Sequence, residues 1–254
     1  MLNIKNLTFS YGDSIILNNI TTGIYDGKIT TILGANGSGK STLLNILTKN
    51  LKVKYGNVIL EGKDVKYISS KNYAKKVAIV HQKNIVPNGL TVERLISYGR
   101  LPYTSVFMAK LDEYNQSYVD RAIKLADLEK IRYREMGTLS GGQRQRVFIA
   151  MALAQNTKYL LLDEPTTFLD VKYQIDILRL IKRLNIDEGI TILMVLHDIN
   201  QAISYSDEVI GLKNGEILFK GEAQKVIDEV NIHTLYGANL PVYNIDGKLC
   251  VMAV

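Results

Sequence analysis

Three stretches of this 254-residue sequence carry side chains whose types and spacing suit phosphate chemistry. In the first, the apolar run Ile29 to Leu33 leads into Gly34-Ala35-Asn36-Gly37-Ser38-Gly39-Lys40-Ser41-Thr42, after which Leu43, Leu44 and Leu47 recur at helical spacing. Strand, glycine-rich loop and helix in that order are the context in which GxxxxGKS forms a phosphate-binding loop. The glycines let the backbone curl so that successive N–H groups face phosphate oxygens, and the helix N-terminus adds its positive end. Lys40 can reach the β- and γ-phosphates of a nucleotide, and the Ser41 hydroxyl can ligate Mg²⁺. In the second stretch, Tyr159-Leu-Leu-Leu runs into Asp163-Glu164-Pro165. A buried strand ending this way delivers two carboxylates where ligands collect in open parallel sheets. Asp163 suits Mg²⁺ binding through its hydration shell, and Glu164 suits polarisation of an attacking water.

The third stretch, Leu139-Ser140-Gly141-Gly142-Gln143, precedes a helical pattern from Arg144 to about Gln155 with Val147, Ile149, Ala150 and Leu153 apolar. Ser140 is a favourable N-cap, and two glycines leave the first helical N–H groups unobstructed, so this is a second anion site. Residues 34–42 already wrap one side of a γ-phosphate. The second clamp therefore serves the same phosphate from another side or serves a different nucleotide, and a two-fold dimer satisfies both.

The elements that must position these groups follow from periodicity. Ile29 to Leu33, Val77 to Val80, Tyr159 to Leu162, Thr191 to Leu196 and Glu208 to Leu212 are short runs rich in apolar residues, as expected of strands in a parallel sheet covered by helices. Val119, Ala122, Ile123 and Ala126 share one helix face, and Ile175, Leu178, Ile181 and Leu184 another. The N-terminal Ile4, Leu7 and Phe9, the turn Tyr11-Gly12-Asp13 and the run Tyr55 to Glu61 read as antiparallel strands. Residues 84 to 138 read as a helical insertion. The fold class is α/β, with a mainly parallel core, an N-terminal antiparallel β subdomain and a helical subdomain.

Composition narrows the function classes. With 46% hydrophobic and 22% charged residues and four prolines, the chain is expected to be globular. The longest apolar run, Val147 to Ala154, is far below the roughly twenty residues of a membrane span. No basic, apolar and small-residue signal pattern opens the sequence, and the single cysteine, Cys250, excludes an internal disulfide framework, so a cytoplasmic location is expected. The net charge of +6 is spread singly and in pairs, without a run of five or six bases, so no nucleic-acid partner is expected.

Taken together, LSGGQ between a phosphate loop and an acidic strand end resembles the signature of ATP-binding cassette (ABC) ATPases, over essentially the whole chain. The resemblance implies one nucleotide-binding domain over 1–254, with residues 1–83 and 158–254 forming the β subdomain and α/β core and about 84–157 the helical subdomain. It implies ATP and Mg²⁺ as cofactors. Nucleotide contacts are then expected from Tyr11, which would stack on adenine, from Gly34, Asn36, Gly37, Ser38, Gly39, Lys40, Ser41 and Thr42, and from Ser140, Gly141, Gly142 and Gln143 of a second copy. Ser41, Gln82 and Asp163 would serve the metal. Glu164, His197 and Lys40 would be catalytic, with His197 touching the γ-phosphate, and Leu169 and Asp170 would lie in the interface D-loop, here worded Thr167-Phe168-Leu169-Asp170. His81, His233 and Cys250 match no family role.

Tyr98-Gly-Arg-Leu-Pro-Tyr103, the run Ile149 to Gln155, Asp163 to Asp170 and Val195 to Ala202 resemble the ATPases of ferric siderophore, haem and cobalamin importers. That resemblance implies an energy subunit at the cytoplasmic face of the membrane, a homodimer driving permease subunits and, indirectly, a substrate-binding protein. Iron-chelate import is expected; haem or cobalamin import and an iron-sulphur cluster assembly ATPase are the alternatives. The permease is expected to dock beside Gln82, where Leu90, Val92, Leu95, Ile96, Tyr103, Phe107 and Met108 exceed what a small helical lobe can bury, so that some of them should be exposed.

Overall fold

Strands form where β-branched and aliphatic residues cluster between turn residues, and helices where apolar residues recur every three or four positions. In the computed structural model, which describes residues 1–82, 84, 89–104 and 111–252, the first elements are β1 (Leu2–Tyr11), β2 (Ser14–Ile24), β3 (Ile29–Leu33), α1 (Lys40–Leu47), β4 (Tyr55–Leu60), β5 (Lys63–Asp64) and α2 (Ser70–Ala74). Next come β6 (Val77–Val80), α3 (Val92–Ser97), α4 (Glu113–Leu125), α5 (Gly141–Ala154), β7 (Tyr159–Asp163) and α6 (Val171–Glu188). The last are β8 (Thr191–Val195), α7 (Ile199–Tyr205), β9 (Glu208–Lys213), β10 (Glu216–Gly221), α8 (Ala223–Val226), α9 (Glu229–Tyr236), β11 (Val242–Ile245) and β12 (Lys248–Val251). The chain divides into two compact units, residues 1–68 with 191–254, and residues 69–190.

The first unit contains an antiparallel sheet in the order β2-β1-β4-β5. It also contains the parallel strands β8, β3 and β9, with β10 antiparallel on the edge of β9. All five residues of β3 are buried, as are all five of β8. The Asp207 carboxylate accepts the Ile29 N–H at 2.8 Å, and Thr191 Oγ1 accepts the Gly27 N–H at 2.8 Å, fixing where β3 begins.

The second unit pairs β6 and β7 in parallel, Val77 opposite Tyr159 and Val80 opposite Leu162. Its helices α3, α4 and α5 enclose Val92, Leu95, Ile96, Val119, Ala122, Ile123, Val147 and Ile149, all buried. The lobe therefore buries Val92, Leu95 and Ile96 after all, because three helices meet on that one face of α3. Leu90 and Tyr103 are half-buried, and Phe107 and Met108 lie outside the described residues. Arg100, 1% exposed, fills the gap at the C-terminal end of α5. Its Nε donates to Asn115 Oδ1 at 2.9 Å and its Nη1 to the Ala154 carbonyl at 2.7 Å, while its plane lies between the rings of Tyr103 and Tyr118 at 3.9 and 4.1 Å. Two desolvated cation–π contacts of about 2 kcal/mol each offset the cost of burying this charge.

Candidate functional site

In the first unit the phosphate loop is built by conformations only glycine adopts cheaply. Gly34, Gly37 and Gly39 have φ of 157°, 80° and 104°. A Cβ on Gly34 would lie 2.2 Å from the Leu212 carbonyl and 2.7 Å from Ser38 Oγ, so both backbone shape and space demand glycine. Lys40 opens α1 and is buried at 5% exposure; its Nζ donates to the carbonyls of Gly34 and Ala35 at 2.8 and 2.9 Å. The ammonium thus curls back over the loop it follows. Ser41 is exposed beside it. At the end of β1, Tyr11 precedes the tight turn of Gly12 and Asp13; it is 53% exposed and meets Phe9 edge-on at 4.9 Å, leaving ring surface open for stacking. His197 is exposed just beyond the buried Leu196, whereas a core histidine would be enclosed, and Asp198 caps α7 by accepting the Gln201 N–H at 2.9 Å.

In the second unit β7 ends in Asp163, and Glu164 follows it. Glu164 has φ of 50°, a conformation that costs a non-glycine residue of order 1 kcal/mol or more. The turn that follows, where the Thr167 N–H reaches the Glu164 carbonyl at 3.2 Å, holds it there. Glu164 Oε2 accepts from Gln82 Nε2 and from Thr167 Oγ1, the latter at 3.0 Å. Gln82, Asp163 and Glu164 are therefore carried by the ends of adjacent strands. Sequence reasoning missed Thr167 as a partner of the carboxylate; the signal was a hydroxyl three residues beyond the acid, across a turn that Pro165 favours.

The helix start at Ser140 is a full capping box: Ser140 Oγ accepts the Gln143 N–H at 3.3 Å, and Gln143 Oε1 accepts the Ser140 N–H at 3.0 Å. The Ser140 and Gln143 side chains thereby serve the turn itself. Leu169 packs near Gly141, at 3.4 Å from where its Cβ would be, and Gln174 Nε2 donates to the Leu169 carbonyl at 2.9 Å, so signature and D-loop are neighbours. Asp170 stands at the N-cap of α6. A groove of about 570 Å³ runs past Gln82, Arg144, Gln145, Phe148, Thr167 and Phe168.

A family model described as ABC transporter matches residues 17–167. The chain belongs to the ABC transporter family. As an ABC ATPase it is 38% identical over 248 residues to the petrobactin import ATP-binding protein YclP of Bacillus subtilis (strain 168), covering 98% of this chain and 97% of that one. It is 44% identical over 226 residues to the iron(3+)-hydroxamate import ATP-binding protein FhuC of the same organism, covering 89% and 84%. Its fold matches the ATP-binding cassette MJ0796, a dimer in a post-hydrolysis state bound to ADP and Pi, with a TM-score of 0.73 and 34% identity over 88% of this chain and 99% of the other. No helix of this ABC protein is long and apolar enough to cross a membrane among the described residues.

The oxygen donors present suit Mg²⁺. Ser41 offers a hydroxyl and Asp163 a carboxylate; Gln82, whose amide N–H is directed to Glu164, offers its carbonyl. Such hard oxygens fit a cation that keeps several waters and shares itself with phosphates. No cluster of three or more His, Cys, Asp or Glu residues able to enclose a metal occurs among the described residues.

Proposed function

We propose that this ABC ATPase powers an importer of ferric siderophores. The observation that carries the reading is the similarity to siderophore import ATP-binding proteins at 38% and 44% identity over 98% and 89% of the chain. The wording of residues 98–103, 163–170 and 195–202 supports the same subfamily.

ATP is the substrate of the cycle. Tyr11 stacks on adenine, the amides of residues 34–42 hold the phosphates, and Lys40 neutralises charge on the β- and γ-groups. Mg²⁺, when bound, supplies charge neutralisation at the phosphates and is held by Ser41, Asp163 and Gln82. Glu164 takes a proton from the attacking water, with Gln82 and Thr167 fixing the carboxylate, while His197 contacts the γ-phosphate. Ser140 to Gln143 of a second copy close over that phosphate, so two chains share two nucleotides, and Leu169 and Asp170 line their shared interface. The groove beside Gln82 receives a permease subunit, which places the chain at the cytoplasmic face of the membrane and links it indirectly to a substrate-binding protein.

Deletion of the encoding sequence is expected to abolish growth on ferric petrobactin or a ferric hydroxamate as sole iron source, with amino-acid and sugar uptake intact. A phenotype restricted to haem or vitamin B12 overturns the ligand, and an amino-acid or sugar phenotype overturns the subfamily. Detergent extraction should recover a polytopic membrane protein with the chain.

A further inference from the structure

Beyond His197, the C-terminal part of the first unit grips the segment carrying that residue through one side chain. Asn200 lies on α7, three residues after His197. Its Nδ2 donates to the Val251 carbonyl at 2.9 Å, and its Oδ1 accepts the Val251 N–H at 2.8 Å. One side chain thus supplies β12 with both bonds that a neighbouring strand would make. The β11–β12 hairpin has little core of its own: Tyr243 and Ile245 are 48% and 56% exposed, while Val251, where Asn200 binds, is buried. An isolated two-stranded hairpin is marginal in water. This one is held by α7, and by the Glu229 carboxylate at the start of α9, which accepts the Val242 N–H at 3.0 Å.

We propose that Asn200 is a positioning residue for His197, and that residues 228–252 form the brace through which it holds the turn His197-Asp198 beyond β8. The inference rests on the reading of His197 as the γ-phosphate contact. It assigns work to a C-terminal segment that no phosphate motif reaches.

Steady-state ATPase kinetics, thermal unfolding and thiol labelling on the full chain test it. Cys250, in β12, is the chain's sole cysteine, so its labelling rate reads hairpin docking directly. Asn200→Ala should lower kcat about ten-fold with KM for ATP within about two-fold, and should speed Cys250 labelling. Asn200→Asp keeps the acceptor for the Val251 N–H but loses the donor to its carbonyl, so it should speed Cys250 labelling less than Asn200→Ala and lose kcat in proportion. In a His197→Ala background, Asn200→Ala should cost nothing further. If Asn200→Ala turns over at the wild-type rate while His197→Ala is inactive, the brace is overturned. Loss in Asn200→Ala that follows only a lowered unfolding temperature, with Cys250 labelled at the wild-type rate, likewise overturns it by reducing the contact to packing. Wild-type turnover by His197→Ala overturns the reading of His197 instead, whatever the labelling shows.

Discussion

Gln82 donates its side-chain amide to Oε2 of Glu164, joining a residue two positions beyond β6 to the carboxylate just past β7. Because Thr167 Oγ1 donates to the same oxygen at 3.0 Å, one oxygen of the carboxylate is held by two donors. Its direction is set before any substrate arrives, and pre-set direction is a large part of what a general base contributes. Gln82→Ala should therefore lower kcat by about ten- to a hundred-fold with nucleotide affinity retained. Gln82→Glu sets two carboxylates together, which disfavours ionisation of both. The acid limb of its pH–rate profile should move to higher pH. A profile superimposable on the wild type would show that the contact plays no part in turnover.

Gly142 is needed for space. A Cβ there would come within 2.5 Å of Tyr173 Cδ1 and 2.7 Å of its Cγ, on α6. Gly142→Ala should push the start of α5 away from α6 and weaken ATPase activity, although alanine is the better helix former. The same change in a Tyr173→Ala background should cost much less, a non-additivity that unfolding and kinetics can both read. Equal losses in the two backgrounds would remove the steric explanation.

Local pattern explains why so much of the core was legible. Runs such as Ile29–Leu33 and Thr191–Val195 are apolar or neutral on both faces because both faces are covered, and that is visible without knowing what covers them. The phosphate loop and the Ser140 capping box were legible because their partners lie within a few residues. What escaped depends on distant partners. Arg100 is one such residue, enclosed by Asn115, Tyr118 and Ala154. Val92, Leu95 and Ile96 looked like surplus apolar residues until α4 and α5 supplied the opposite wall. Asn200 and Val251 stand 51 positions apart, beyond any periodicity.

Lys40→Ala should abolish ATP hydrolysis and weaken nucleotide binding. Its Nζ already sits over the carbonyls of Gly34 and Ala35, so the cation is placed at the loop before phosphate binds and costs little reorganisation to use. Unchanged turnover would sink the phosphate-loop assignment. Tyr11→Ala should instead weaken ATP and ADP alike, by about 1 to 3 kcal/mol, because stacking on a base does not sense the γ-phosphate. Titration with both nucleotides separates the two; a loss confined to ATP would place Tyr11 in another role.

The most demanding test is Glu164→Gln. Glutamine keeps the shape and a carbonyl that can accept from Thr167, but it loses the basicity needed to take a proton from water. Turnover should fall by about 10² to 10⁴, as is typical when a general base is removed. Nucleotide binding should survive, since the amides of residues 34–42 and the Lys40 ammonium are untouched. With hydrolysis blocked, Mg-ATP should hold two copies together, each γ-phosphate lying between residues 34–42 of one chain and the Gly141 and Gly142 amides of the other. Light scattering should show a doubling of mass that appears with ATP, is absent with ADP and is lost when Ser140→Arg is added, because that change removes the cap and places a bulky cation at the signature turn. A variant that stays monomeric at saturating Mg-ATP, both alone and with its permease present, would refute the composite site, since the permease could at most supply part of the association free energy by pre-orienting the two chains.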